Sequence, residues 1–355
     1  MKKTILQKKH HILGARMGEF GGWDMPIQYE GILAEHQQTR TAASLFDICH
    51  MGEFEISGST AEADLERLLT CSISSLNVGQ VRYGYLLNEM GGVLDDLTVY
   101  RLANDRFWLV VNAGTAATDA AWISKHLQQT TLFKDISDQI AKLDLQGPAA
   151  RIVLEEVYGC SFADLRYFCF QSLKDGWVSR TGYTGELGYE LYLPVDAAAA
   201  TWDAVLAHSK CAPAGLGARD TLRLEMGYPL YGHELDAMHS PVETGNGMFM
   251  NWNKAFMGKA RCESDQAEGT QRVVGLQLSS KRAAREQDRV FYKNQPVGYI
   301  TSGSLAPSLN VAVAMARIEA SCCEVGQQVE VEIRGRFQEA IVVSLPFYKS
   351  GSARV

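Results

Sequence analysis

The feature that most constrains the fold of this chain is a change of pattern near residue 270. Before it, segments with apolar residues at helical spacing are mixed with short runs of the kind that form strands. After it, only strand-like runs separated by turns follow, at 273–278, 297–301, 311–318, 329–333 and 340–345. The sequence therefore predicts an α+β region followed by a separate small all-β domain.

Helical spacing predicts four helices before residue 270, at 59–70, 116–128, 148–157 and 196–207. The first begins with a capping-box signature formed by Ser59 and Glu62. Among the strands that the pattern predicts in this region are 97–101, 106–112 and 189–194. This mixture is typical of an α+β fold.

Composition narrows the class of protein. The chain has 355 residues, of which 46% are hydrophobic, enough for a sizeable core. Its net charge of −7 argues against a nucleic-acid partner. No apolar run approaches the roughly 20 residues of a membrane span, and the start lacks a signal-peptide stretch, so we expect no membrane association. The eight cysteines form no C-x-x-C pair and are interpreted as free thiols, which favours a cytoplasmic location.

Several common catalytic motifs are absent from the sequence. The glycines at 182–188 are spaced G-x-x-G-x-x-G, and those at 215–217 lack the third glycine of a dinucleotide fingerprint. The pair His233-Glu234 has no second histidine at the spacing that zinc enzymes need, and neither a P-loop nor a G-x-S-x-G elbow is present. The sequence thus predicts neither a metal nor a nicotinamide cofactor.

Two adjacent aspartates follow the glycine pair at 91–92, in a segment that we interpret as a strand. Because side chains alternate between the faces of a strand, Asp95 and Asp96 point in opposite directions. Asp96 shares a face with Leu94 and Tyr100 and is a candidate functional carboxylate, whereas Asp95 is expected to serve the turn. The alternative is that both aspartates only shape the turn.

A second candidate carboxylate is Glu190. In a strand beginning near Tyr189, Glu190 and Tyr192 face away from the core, so Glu190 is available to a ligand. The alternative is an ordinary solvated glutamate.

Two arginines, Arg219 and Arg223, lie one helical turn apart in the segment 217–227. The two guanidinium groups repel each other unless nearby anions neutralise their charges. Either an internal carboxylate, for example Asp220 or Glu225, or an anionic ligand meets this need.

Taken together, these segments resemble the aminomethyltransferase family, which comprises the T-protein of the glycine cleavage system and its folate-dependent relatives. The resemblance extends nearly from end to end, although Cys49 stands where the family usually has serine. The matching segments are 20–29, 35–36, 45–52, 91–97, 111–114, 145–148, 182–190, 218–220, 240–243, 256–259, 298–303, 307–309 and 345–349.

This resemblance implies a three-lobed cloverleaf, with two interleaved α+β lobes and a C-terminal β-barrel-like domain. It places the folate-binding region at 1–265, with a core at 1–47 and 135–265 and an inserted lobe at 48–134. The barrel-like domain then covers 270–355.

The resemblance also implies a site. Asp96 is then the catalytic carboxylate, and Glu190 and Arg219 bind the co-substrate tetrahydrofolate. The remaining residues expected to line the same cavity are Met51, Tyr83, Tyr100, Asn112 and Tyr183. For Met51 and the tyrosines the alternative is core packing, and for Asn112 it is a cap on a strand end.

The implied reaction moves the methylene group of an S-aminomethyl-dihydrolipoyl carrier protein to tetrahydrofolate, with release of ammonia. One alternative is a folate-dependent demethylase of a small N-, S- or O-methyl compound. The other is a folate-binding accessory protein of iron–sulfur cluster assembly, whose K-G-C-[FY]-x-G-Q-E signature is missing here. The atypical segments at 245–248 and 350–355 leave the substrate and the docking surface open.

Overall fold

The computed structural model describes residues 1–354 and shows an α+β fold with a barrel at its C-terminal end. The strands are β1 Lys2–Lys3, β2 Arg16–Phe20, β3 Trp23–Gln28, β4 Ala43–Asp47, β5 Gly52–Ser57, β6 Val81–Leu87, β7 Val93–Ala103, β8 Arg106–Val111, β9 Leu132–Asp135, β10 Ile140–Gln146, β11 Phe170–Leu173, β12 Gly176–Ser179, β13 Gly188–Pro194, β14 Cys211–Pro213, β15 Gln271–Leu278, β16 Arg289–Tyr292, β17 Gln295–Ala306, β18 Val311–Glu319, β19 Gln328–Ile333 and β20 Arg336–Val343. The helices are α1 Gln7–Ile12, α2 Ile32–Thr41, α3 Ala61–Leu68, α4 Ala116–His126, α5 Ala150–Tyr158, α6 Ala198–Leu206, α7 Leu216–Glu225 and α8 Lys259–Glu268. No helix within residues 1–354 is both long and apolar enough to cross a bilayer.

The four helices expected from helical spacing form as α3, α4, α5 and α6. The capping box expected at the start of α3 is wrong, because Thr60 is the N-cap residue and its side chain makes no capping bond. The carboxylate of Glu62 instead lies 2.6 Å from the guanidinium of Arg101. Glu62 therefore binds a side chain on β7 rather than the backbone at the start of its own helix.

Two sheets form the N-terminal region beside the small sheet β1-β3-β2. One has the order β6-β7-β8-β5-β9 and the other β11-β12-β13-β10-β4-β14. Helices α3 and α4 pack on the outer face of the first sheet and α5 and α6 on that of the second, each over a buried apolar cluster. The division of the chain into domains at the expected boundaries stays a prediction.

The inner faces of these two sheets meet in a third, largely aromatic cluster. Tyr100 and Trp108 from the first sheet contact Tyr192, Phe170 and Trp177 from the second. Polar side chains at the margin of this cluster therefore lie between two layers.

The strands from β15 onward close into a barrel in the order β15-β18-β17-β16-β19-β20. The sequence pattern predicts each of these strands except β16, which is only four residues long. Helix α7 packs against β3 on one side and against β17 and β18 of the barrel on the other. Helix α7 therefore connects the N-terminal region to the barrel.

The segment after the barrel returns to the N-terminal region. The backbone N–H of Tyr348 donates to the carbonyl of Glu225, and that of Ala353 donates to the carbonyl of Gly185. The hydroxyl of Ser352 donates to the carboxylate of Glu186. These bonds hold the C-terminal segment beside the glycine-rich loop at 182–188.

Candidate active site

Asp96 is half-buried on the same face of β7 as Tyr100, which packs against the second sheet. One carboxylate oxygen, Oδ2, accepts a hydrogen bond of 2.9 Å from the hydroxyl of Tyr83 on β6. The other, Oδ1, accepts one of 2.9 Å from the side-chain amide of Asn112, directly after β8. Burial and the nearby charge of Asp95 raise the pKa of Asp96 to about 7. Asp96 is thus a fixed carboxyl group that titrates near neutrality.

Asp95 does not serve the turn, contrary to the expectation from sequence. It is fully buried in β7, and its two oxygens accept bonds from the backbone N–H and the side-chain amide of Asn112, at 2.9 and 2.8 Å. The turn is closed by Asn88, whose side-chain oxygen accepts a bond from the backbone of Gly92. Asn112 thereby bridges both aspartates rather than only capping the end of a strand.

Glu190 is buried on the inner face of β13, so the interpretation as a solvated glutamate is wrong. Its carboxylate accepts a bond of 2.5 Å from the hydroxyl of Thr181 and lies 3.5 Å from the ammonium of Lys142. The hydroxyl of Tyr100 is 3.4 Å away. Burial alone raises the pKa of Glu190, but Lys142 and the Thr181 bond outweigh it and lower the pKa. Glu190 is therefore an ionised acceptor in a buried position.

The guanidinium of Arg219 forms an ion pair with the buried carboxylate of Asp144 and lies 4.9 Å from the ring centroid of Tyr183. Burial raises the pKa of Asp144 to about 6, although Arg219 opposes this. The other arginine of the helix, Arg223, pairs with Asp220 and Glu234. Internal carboxylates thus form ion pairs with both arginines.

Tyr183 is held in place by protein contacts. Its hydroxyl donates to the carbonyl of Pro229, and its ring stacks on Tyr228 with centroids 5.7 Å apart. Met51 is half-buried after β4, with its sulfur 3.6 Å from the ammonium of Lys142. Met51 also packs against the aromatic cluster between the two sheets.

The predicted residues form two groups along β7. Asp96, Tyr83 and Asn112 make up the first, and Tyr100 and Glu190 belong to the second. Asp96 and Tyr100 are four positions apart on β7, a distance of about 13 Å along an extended strand. Arg219 and Tyr183 approach from α7 and from the loop at 182–188.

Sequence reasoning missed Lys142 and Asp144, which hold Glu190 and Arg219. The signal for them lies in β10, where Lys142, Asp144 and Gln146 alternate with apolar residues. Only the pairing of β10 with β13, which sets Asp144 opposite Glu190, shows that these side chains lie beside the predicted site residues.

One aromatic side chain outside the predicted set also reaches the first group. The ring of Phe249 lies 5.0 Å from that of Tyr83, edge to face, and Phe249 is 41% exposed. It ends the short 3-10 helix Gly247–Phe249, which overlaps the atypical segment 245–248. A cavity of about 510 Å³ on the barrel surface contains none of these residues.

The arrangement suits recognition of a flat polar ligand and proton transfer to it. Glu190 offers an ionised acceptor for N–H donors, and Asp96 offers a carboxyl group whose proton is exchangeable near pH 7. Within residues 1–354 there is no group of three or more histidine, cysteine, aspartate or glutamate side chains arranged to hold a metal ion.

Comparison with known proteins gives matches over nearly the whole chain. Residues 6–254 match the family model of the GCVT N-terminal domain, and residues 271–349 match that of the glycine cleavage T-protein C-terminal barrel domain. An aminomethyltransferase from Geobacillus kaustophilus is 40% identical, covering 98% of this chain and 99% of the relative. Another from Synechococcus elongatus is 41% identical, covering 96% and 94%. The crystal structure of glycine cleavage system aminomethyltransferase T from Bartonella henselae superposes with a TM-score of 0.95 at 35% identity, covering 99% of both chains.

Proposed function

This chain belongs to the glycine cleavage T-protein family, and we propose that it is a tetrahydrofolate-dependent aminomethyltransferase of glycine cleavage. In this reaction the methylene carbon of an aminomethyl group, carried as a thioether on the lipoyl arm of a carrier protein, passes to tetrahydrofolate. Ammonia and the free lipoyl thiol are released.

The observation that carries the proposal is the environment of Asp96. Its two oxygens are fixed by Tyr83 and Asn112, its side chain is only half-buried, and its pKa is raised to about 7. The transfer returns one hydrogen to sulfur and one to the departing nitrogen, so it needs a group that takes up and releases protons near neutral pH. Asp96 has this property.

The residues present fit tetrahydrofolate. The pterin ring carries a guanidine-like N–H edge, which matches the ionised, buried acceptor Glu190, backed by Lys142. Arg219, held by Asp144, presents a cation toward acidic or carbonyl groups. When bound, tetrahydrofolate supplies the nitrogen atoms that accept the carbon.

In this mechanism the chain acts by orientation and by proton handling. Glu190 fixes the ligand edge, and Tyr83 and Asn112 keep the Asp96 oxygens aimed at the reacting centre. In its ionised form Asp96 favours the positive charge that develops there, takes up a proton and passes it to a departing group. The cytoplasmic location and the lipoyl carrier belong to this proposal, and the glycine cleavage name of the structural relative supports the carrier.

The decisive experiment measures ammonia release by the purified protein from an aminomethylated lipoyl carrier. We expect release only when both the carrier and tetrahydrofolate are present. If a small N-methyl compound replaces the carrier with equal efficiency, the protein is a demethylase. If folate binds without turnover of either donor, the reading as an accessory protein gains support and the proposal fails.

A further inference from the structure

A third carboxyl group stands behind the two aspartates of β7. Asp119, on α4, is 1% exposed, and neither of its oxygens accepts a completed hydrogen bond in residues 1–354, because the hydroxyl of the neighbouring Thr115 donates to the carbonyl of Asn112 instead. It lies within hydrogen-bonding reach of the carboxyl group of Asp95. Across the described part of the chain, no lysine, arginine or histidine forms an ion pair with Asp95, Asp96 or Asp119. The cluster therefore needs a proton in place of a cation.

Two buried carboxyl groups in contact cannot both be ionised at neutral pH. Burial raises the pKa of both carboxyl groups above the usual range of an aspartate. The pair thus retains one proton over the neutral range. Both Asp95 oxygens already accept N–H bonds from Asn112, so the proton belongs on Asp119, where it can be donated to Asp95.

We propose that Asp119 is a positioning residue, a neutral acid that donates to Asp95 and so holds Asn112, and through Asn112 the Asp96 carboxylate, in place. The inference rests on the proposed function, because it assigns Asp119 a part in orienting the group that handles protons. The chain of contacts runs from Asp119 to Asp95, from Asp95 to two N–H groups of Asn112, and from Asn112 to Asp96. This chain of contacts requires an uncharged hydrogen-bond donor at position 119.

The other groups that face the pair are few. Thr115 directly precedes α4 and lies beside Asp119, and its hydroxyl donates to the carbonyl of Asn112. Asp96 lies on β7. From the loop before α8, Tyr231 approaches the cluster, and burial, with the charges of Asp95 and Asp119, raises its pKa to about 12. Tyr231 thus stays neutral in the working range, and the pair itself sets the response to pH.

The test compares Asp119→Asn with Asp119→Ala in the full-length protein. Asparagine keeps an N–H donor toward Asp95, whereas alanine removes it. We expect kcat to fall about 10-fold to 100-fold in Asp119→Ala, with the KM for tetrahydrofolate changed by less than about 3-fold, and Asp119→Asn to recover most of the lost turnover. At alkaline pH the parent loses the shared proton and slows, whereas Asp119→Asn keeps its donor and lacks that decline.

Asp64→Asn is the matched control, because Asp64 is also buried and hydrogen-bonded in this lobe, on α3, away from Asp96. It should leave the pH profile unchanged even if stability falls. The inference is overturned if Asp119→Asn is as impaired as Asp119→Ala, or if Asp119→Ala retains the turnover and pH profile of the parent.

An infrared readout separates this inference from the proposed function. The difference spectrum between the parent and Asp119→Asn at pH 8 should contain the carbonyl stretch of one protonated carboxyl group. If that band is present and ammonia release is not, the proposed function fails while the shared proton stands. If the band is missing, the shared proton is refuted, whatever the activity.

Discussion

Replacing Asp96 by asparagine tests the central carboxylate with little disturbance of its surroundings. The amide oxygen of the new side chain can accept the bond from the Asn112 amide, and its NH₂ group can donate to the hydroxyl oxygen of Tyr83. Both contacts are kept, so we expect folding and folate affinity to change little. What is lost is the ability to ionise and to move a proton.

The size of the effect follows from that loss. General acid–base catalysis contributes about 10² to 10⁴ in rate, or about 2.7 to 5.4 kcal/mol of transition-state stabilisation. We therefore expect Asp96→Asn to lower turnover at least about 100-fold.

The parent should also lose activity as the pH falls through about 7, since burial and the charge of Asp95 raise the pKa of Asp96 to that value and protonation removes the base. Two pH units below this pKa only about 1% of the carboxyl group is ionised, so turnover should be about 100-fold slower there. The variant should lack this acid limb.

The assay is ammonia release at saturating tetrahydrofolate over a range of pH, with folate affinity measured separately by calorimetry. Asp105→Asn serves as the control, because Asp105 is an exposed aspartate in the turn between β7 and β8 of the same sheet. Turnover of Asp96→Asn within a few-fold of the parent, or an unchanged acid limb, would refute the role of Asp96.

The other predictions concern binding and stability. Glu190→Ala and Arg219→Ala should each raise the dissociation constant of tetrahydrofolate at least about 10-fold, because hydrogen bonds to charged groups contribute about 1.5 to 3 kcal/mol. Calorimetry showing unchanged affinity in both variants would contradict the proposed pocket. Burial raises the pKa of Glu53 from 4.5 to about 8, so the parent should lose stability as the pH rises from 4.5 through 8, whereas Glu53→Gln should not. Equal slopes of melting temperature against pH in the two proteins would contradict this prediction. Trp202→Ala should lower the free energy of unfolding by about 3 to 5 kcal/mol, because Trp202 is fully buried between α6 and the second sheet, and denaturant titration showing a loss below about 1 kcal/mol would argue against that packing.

Local pattern was sufficient wherever one element determines the outcome. The spacing of apolar residues predicts α3 to α6, and the alternation in β13 correctly places Tyr189 and Leu191 in the core and Glu190 on the opposite face. It failed at β16, whose four residues are too few to show a period. The resemblance to a known family suggested the roles that we propose for Asp96, Glu190 and Arg219, which periodicity alone does not supply.

The sequence by itself determined helices α3 to α6, most strands of the region after residue 270 and the faces of their strands on which Asp96 and Glu190 lie. Only the tertiary structure decided the partners: Asn112 for Asp95, Asp144 for Arg219, and Lys142 for Glu190. These partners are set by which strands become neighbours and in which register, and by which helix packs behind them. A few consecutive residues are enough to predict which face of a strand a side chain lies on, whereas a contact between distant residues depends on how the whole chain packs. For this reason the local sequence does not predict the proton shared by Asp95 and Asp119.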